Sequence, residues 1–371
     1  MKPSLDIAFF GSSLVSAYWN GAATYYRGII RYLALSGHRV TFYEPDAFER
    51  QQHRDMADPP WCRVVVYSGT DGGDVDRVLD AARRADVLVK ASGVGVWDDV
   101  LDAGVLHAKR AGALALYWDV DAPATLERLN RNPSDPLRAL VPRFDLVLTY
   151  GGGEPVVRGY LSLGAKRCVP VYNALDPDTH FPVGADPRFD ATLALLANRL
   201  PDREARIDTF FFEPARALPG DRFLLGGNGW HDKAVPPNVV RLGHVYTADH
   251  NAFNASPKCI LNVARDSMAA AGWSPATRVF EAAGAGACIV TDAWPGLEDF
   301  LEPGREVLVA QGGEDVARIV RDVDRQKARA IGVAARARVL REHTYPIRAR
   351  QVEELLIRAQ KAAPAASEVA P

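Results

Sequence analysis

Short apolar runs recur along this chain, each parted from the next by a longer amphipathic stretch, and this alternation restricts the fold more than any other feature of the sequence. It is the pattern of parallel strands joined by crossover helices. A first series of strands is expected at Leu5–Phe10, Val40–Tyr43, Val64–Tyr67, Val87–Ala91, Leu114–Trp118 and Leu146–Tyr150. A second begins at Leu193–Ala197 and continues through Phe223–Leu225, Val239–Leu242, Cys259–Val263, Ala287–Thr291 and Val307–Ala310. Helices fit between them, such as Thr24–Ser36 ending before Gly37.

Between the two series lies VYNALDPDTHFPVGADPR, Val171–Arg188, which carries Pro177, Pro182 and Pro187 and has no helical period. It reads as a linker. At 371 residues the chain exceeds one ordinary core, and 48% hydrophobic content suffices to pack two. The expected fold class is therefore α/β, with two tandem Rossmann-like, doubly wound domains and a ligand cleft between them at the carboxyl ends of their strands. The expected boundaries are an N-terminal Rossmann-like domain over 1–172, a linker over 173–188 and a C-terminal Rossmann-like domain over 189–345. A terminal helix over 346–361, able to pack back on the first domain, and a flexible tail over 362–371 complete the chain.

Forty-four basic residues against forty-six acidic ones leave a net charge of −2, no electrostatic footprint for nucleic acid or anionic lipid. Cys62, Cys168, Cys259 and Cys288 form no Cys-x-x-Cys pair and read as buried thiols. The apolar run at the N-terminus is too short for a signal peptide, and no segment approaches a membrane span of ~20 residues. A soluble, cytoplasmic protein without a transmembrane segment is expected.

The most specific segment is SPATRVFEAAGAGACIVTD, Ser274–Asp292. Ser274 is placed to cap a helix whose first position is Pro275, leaving an anion-binding N-terminus along Ser274, Pro275, Ala276 and Thr277. Arg278 and Glu281 follow on one side of that helix. A cation for phosphate beside a carboxylate for hydroxyls suits a sugar nucleotide. The first strand of the second series ends in LLANRLPDREAR, which brings Asn198, Arg199 and Arg203 to the same strand ends, where arginines can grip a diphosphate. Gly227 and Asn228, within Gly226–Trp230, and His244 after the next strand complete the expected donor contacts.

In the first series, Tyr18, Trp19, Asn20 and Gly21 form a loop whose aromatic faces and amide suit an acceptor, with Tyr25 and Tyr26 just beyond. Asp119 and Asp121 close the fifth strand and are the general-base candidates, although Asp121 before Ala-Pro also fits a helix N-cap. An Asp-x-Asp can hold a metal, but nothing nearby supplies further ligands, so no metal is expected. No Gly-x-Gly-x-x-Gly follows the first strand, which argues against a dehydrogenase.

With these residues in view, the chain resembles the glycosyltransferases of GT-B fold, and among them the spore-maturation-protein CgeB-like group. YNALDPDTHFP is similar to the family's interdomain linker, NRL to the strand end that meets the diphosphate, and RVFEAAGAGACIVTD to the segment with the ribose-binding glutamate. The resemblance implies that Glu281 binds ribose. Trp273 stands where many retaining relatives carry a second glutamate, so neither the anomeric outcome nor the sugar is carried over. The implied activity is metal-independent transfer of a sugar from a UDP, GDP or dTDP sugar to a small-molecule, glycan or protein acceptor. No cofactor beyond the nucleoside diphosphate sugar and no nucleic-acid partner is implied. A sugar-nucleotide epimerase and a non-catalytic sugar-nucleotide-binding or surface structural protein are the competing readings.

Overall fold

The computed structural model describes residues 4–362, so all but the first residue of the expected tail lies outside the described residues. The chain divides into two compact units, residues 173–344 forming the second and the remainder the first.

The first unit is one seven-stranded sheet with every neighbouring pair parallel, in the order β3-β2-β1-β4-β5-β6-β7. Its strands are β1 Asp6–Phe10, β2 Arg39–Asp46, β3 Arg63–Ser68, β4 Val87–Ala91, β5 Leu114–Asp119, β6 Leu146–Thr149 and β7 Cys168–Pro170. The second unit holds β8 Leu193–Leu196, β9 Phe223–Gly226, β10 Val239–Gly243, β11 Cys259–Asn262, β12 Ile289–Asp292 and β13 Leu308–Ala310. They run parallel in the order β10-β9-β8-β11-β12-β13. The uninterrupted apolar runs follow from this geometry: β4, β5, β6, β11 and β12 are buried at every position, as strands covered on both faces must be. β7 has no counterpart among the sequence-based strands because it is three residues long at a sheet edge.

Both sheets reverse their strand order once, between β1 and β4 and between β8 and β11. Crevices at such switch points, outside the carboxyl ends of the strands, are where ligands bind in open α/β sheets.

Residues 173–188 are fastened within the second unit. Leu175 N donates to the His343 carbonyl at 2.8 Å, and Asn173 Nδ2 donates to the Pro275 carbonyl at 3.0 Å. The last helix, Tyr345–Ala362, belongs to the first unit and packs on the Ala23–Leu35 helix. Gly28 makes that contact possible, since a β-carbon there would lie 2.2 Å from the Tyr345 ring. Tyr25 and Tyr26 are 1% exposed core residues of this unit, so they are not ligand faces. Tyr25 Oη accepts from Trp118 Nε1 and donates to the Val171 carbonyl. All four cysteines are free and buried. Among the described residues no helix is long and apolar enough to cross a membrane.

Candidate functional site

In the second unit the expected donor residues stand beyond the carboxyl ends of β8, β9, β10 and β11. Where β8 ends, Asn198 Oδ1 accepts from Asn228 N at 2.9 Å and Arg203 Nη2 donates to the Asn198 carbonyl at 2.6 Å, tying this loop to the one after β9. Gly227 permits the crossing: its φ is +113°, and a β-carbon would sit 2.1 Å from the Ala197 carbonyl oxygen. Trp230, which closes this glycine run, is 3% exposed and donates its indole N–H to that same carbonyl. His244, half-buried after β10, meets the Tyr246 ring edge-on at 4.4 Å.

Arg199 is committed within the protein. Its Nε and Nη2 donate to the two Glu204 oxygens at 2.7 and 2.9 Å, and Nη1 reaches Asp232 at 2.8 Å. Lys233 bridges Glu204 and Asp208, and the hydrogen bonds from Arg199 and Lys233 hold the Glu204 carboxyl down at about 2. To meet a diphosphate Arg199 must exchange these carboxylates for phosphate oxygens. Deeper in the unit, Arg206 pairs with Asp292, which has no exposed surface, at 2.5 Å.

Ser274 does not cap the next helix. That helix spans Thr277–Gly284 with Ala276 as its N-cap, so Pro275 precedes the helix rather than opening it. Ser274 Oγ turns back and donates to the Gly272 carbonyl at 2.9 Å. Thr277 Oγ1 donates to Asn173 Oδ1, and with the Asn173–Pro275 bond this fixes the helix start. The expected anion site therefore shifts two residues along, to amides for which Ala276 supplies no side-chain acceptor.

One turn in, Glu281 is 2% exposed. Arg278 Nη1 contacts its Oε2 at 2.7 Å and is the more solvent-exposed partner. Two histidines complete the group: His180 Nε2 lies 3.7 Å from Glu281 Oε1, and His250 Nδ1 lies 3.9 Å from Oε2. Burial, with Arg278 adding to it, pushes the His250 imidazole down to about 4, so it is neutral at neutral pH. Sequence reasoning did not find His180 or His250. They stand far from Glu281 along the chain, and no spacing rule links them; only the approach of the 173–188 segment and the His250–Ala255 helix to the Thr277–Gly284 helix does so.

In the first unit Asp119 is fully buried and accepts from Ser92 Oγ at 2.7 Å, from Asp121 N at 2.9 Å and from the Tyr160 hydroxyl. Three donors fix it as the tie between strand ends, and its full burial keeps the carboxylate from solvent and from an acceptor proton. Asp121 is half-buried and stands at the N-cap of Ala122–Arg131, but its side chain makes no capping bond. Of the aromatic loop, Trp19 is 40% exposed with φ 49°, and Tyr18 stacks on His53 at 4.0 Å. Asn20 is 6% exposed and is the loop's internal fastener, donating to the Ser13 and Ser16 carbonyls and accepting from Ser12 Oγ. Gly21 faces open space and has no positive φ.

Residues 203–354 match the model of a family described as glycosyl transferase-like. Among curated proteins none matches the sequence. Solved structures match the fold at low identity. Sucrose-phosphate synthase from Thermosynechococcus elongatus superposes with a TM-score of 0.69 at 14% identity, covering 96% of this chain and 100% of that one. Anabaena HepE in complex with UDP and glucose gives 0.68 at 16% identity, covering 95% of this chain and 100% of that one. An alpha-glucosyltransferase bound to UDP-glucose and DNA containing an abasic site gives 0.69 at 12%, covering 96% and 100%. The two parallel-sheet domains are those of the GT-B fold, and the segment similar to glycosyl transferases lies mostly in the second unit.

Proposed function

We propose that this protein transfers a sugar from a nucleoside diphosphate sugar, without a metal in the chemical step, and that its second unit is the donor-binding unit. The observation that carries the reading is Glu281, a carboxylate in the first two turns of Thr277–Gly284, the second helix after the switch-point strand β11, with Arg278 beside it. Ribose hydroxyls would take the place that Arg278 holds on Glu281, freeing the guanidinium to turn toward the diphosphate. The first-turn amides of the same helix would stabilise the leaving group as negative charge develops on it. UDP is the nucleotide best supported, because solved structures of similar fold hold UDP or UDP-glucose.

The first unit is the acceptor-binding unit in this reading, through Tyr18 and the exposed Trp19. Asp121 is the remaining general-base candidate, Asp119 being spent on its three donors. RVFEAAGAGACIVTD supports placement with the CgeB-like group. No observation favours an epimerase, and a protein that binds donor without turnover is separated by the assay.

Thermal shift with UDP, GDP, dTDP and NAD, followed by UDP release from UDP-glucose, tests the proposal. Stabilisation by a nucleoside diphosphate, weakened at least tenfold in affinity by Glu281→Ala, is expected. Stabilisation by NAD alone, or unchanged affinity in Glu281→Ala, overturns it.

A further inference from the structure

The cluster around Glu281 holds more acceptors than a ribose site requires. His250 Nε2 faces the Val245 carbonyl at 3.2 Å, and since a carbonyl only accepts, Nε2 carries the proton. Its lone pair is therefore on Nδ1, which no hydrogen bond reaches and which points at Glu281 from a side chain only 10% exposed. The Thr179 hydroxyl lies 2.9 Å from His180 Nδ1 and 3.3 Å from the Asp176 carbonyl, and in the tautomer that binds a metal Nδ1–H donates to that hydroxyl. That puts the second imidazole lone pair on Nε2, again facing Glu281.

Two imidazole lone pairs and a carboxylate thus converge, their atoms within 4.8 Å of one another and all three residues buried. Acceptors held together in a medium of low dielectric repel unless a positive charge lies among them. Arg278 supplies that charge on one side, and its 23% exposed side chain has solvent to turn into.

We propose that His180, His250 and Glu281 form a binding site for a divalent transition-metal ion of the zinc type, and that the ion, by occupying Glu281, opposes nucleotide binding. With His180 in that tautomer, both histidines donate their outer N–H to an oxygen, the arrangement that orients imidazole ligands. Two nitrogens and one carboxylate select zinc, cobalt or nickel over the oxygen-seeking magnesium and calcium. Bonds of about 2.0–2.1 Å in a tetrahedral site set ligand atoms roughly 3.3 Å apart. The present separations are 3.7 Å from His180 to Oε1 and 3.9 Å from His250 to Oε2, with the ligand atoms spread over up to 4.8 Å, so closing on an ion moves these side chains by as much as about 1.5 Å. The metal site stands on this geometry alone; its opposition to nucleotide rests on the assignment of Glu281 to the ribose.

Titration of chelator-treated full-length protein with ZnCl2, and with CoCl2 followed by its visible absorption, tests the site. One equivalent bound, with affinity reduced at least tenfold in both His180→Asn and His250→Gln and unchanged in His53→Gln, is the expected result. Circular dichroism melts confirm that each variant is folded, and a variant that is not is replaced by Thr179→Val, which removes the acceptor for His180 Nδ1 and is expected to weaken zinc several-fold. Absence of stoichiometric zinc binding, or equal affinity in the folded histidine variants, overturns the site. UDP affinity measured with and without one equivalent of zinc is expected to fall at least tenfold when zinc is present. UDP affinity unaltered by bound zinc overturns the coupling, whereas failure of UDP to bind the metal-free protein strikes the ribose assignment instead.

Discussion

Gly332 offers a test in which helix propensity and packing predict opposite signs. It lies inside the Arg325–Glu342 helix, where alanine is a better helix former by about 1 kcal/mol. Against that, a β-carbon at Gly332 would lie 2.0 Å from the Gly286 carbonyl oxygen and 2.7 Å from its carbon, whereas ordinary contact begins at 3.4 Å. The obstacle is backbone, so no rotamer relieves it, and the helix must recede by about 1.4 Å, the difference between 3.4 and 2.0 Å. Gly286 lies one residue past the C-cap of the Thr277–Gly284 helix, on which this helix packs, so recession loosens the support of Glu281. Overpacking of this kind costs about 1–3 kcal/mol or more, and with loss of part of the helix contact it exceeds the propensity gain. Gly332→Ala is expected to be destabilised by roughly 2 kcal/mol net, a fall of about 4–8 °C in the melting midpoint for a unit of this size. Scanning calorimetry reads this directly. Gly72→Ala is the control: it opens the Gly72–Ala82 helix, and its β-carbon would meet nothing nearer than Trp97 at 3.9 Å. That variant is expected to match wild type or gain up to about 1 kcal/mol. A Gly332→Ala protein that melts at or above wild type refutes the packing argument.

Arg206→Ala strands the Asp292 carboxylate, fully buried, and is expected to cost about 3–5 kcal/mol at neutral pH by urea denaturation. Burial already holds the Asp292 carboxyl above its usual range despite Arg206, so the variant's deficit should shrink as the pH falls and the acid protonates; a pH-independent deficit counts against this. Asp145 is held below its usual range although burial opposes this, because Lys109, the Ala115 amide and Lys166 outweigh it. Its stabilising contribution is present above the unfolded carboxylate pKa and is lost as the pH falls through the folded one, so Asp145→Asn should flatten the acid limb of stability. Asp119→Asn confronts the Asp121 amide and two hydroxyl groups with a donor and is expected to cost about 1–3 kcal/mol, seen as a lower melting midpoint. An Asp119→Asn protein with wild-type stability but no transfer activity returns Asp119 to catalysis.

The sequence by itself determined the fold class, because a strand buried on both faces leaves an uninterrupted apolar run and a parallel connection needs a long crossover, which most of these connections fill with a helix. It also singled out Glu281 and Arg278, since three residues apart on a helix is a local relation that spacing alone fixes. Short-range signals failed where tertiary contacts competed with them. Ser274 has the composition of a cap, yet its hydroxyl is taken by Gly272, and the helix waits for Thr277, which Asn173 anchors from about a hundred residues away. Asp119 stands at a strand end as a catalytic base does, but Ser92 and Tyr160 arrive from neighbouring elements to hold it in the buried interior. Only the tertiary structure brought His180 and His250 to Glu281, because the order of strands and the path of the 173–188 segment, rather than any periodicity, decide which distant side chains share a buried volume.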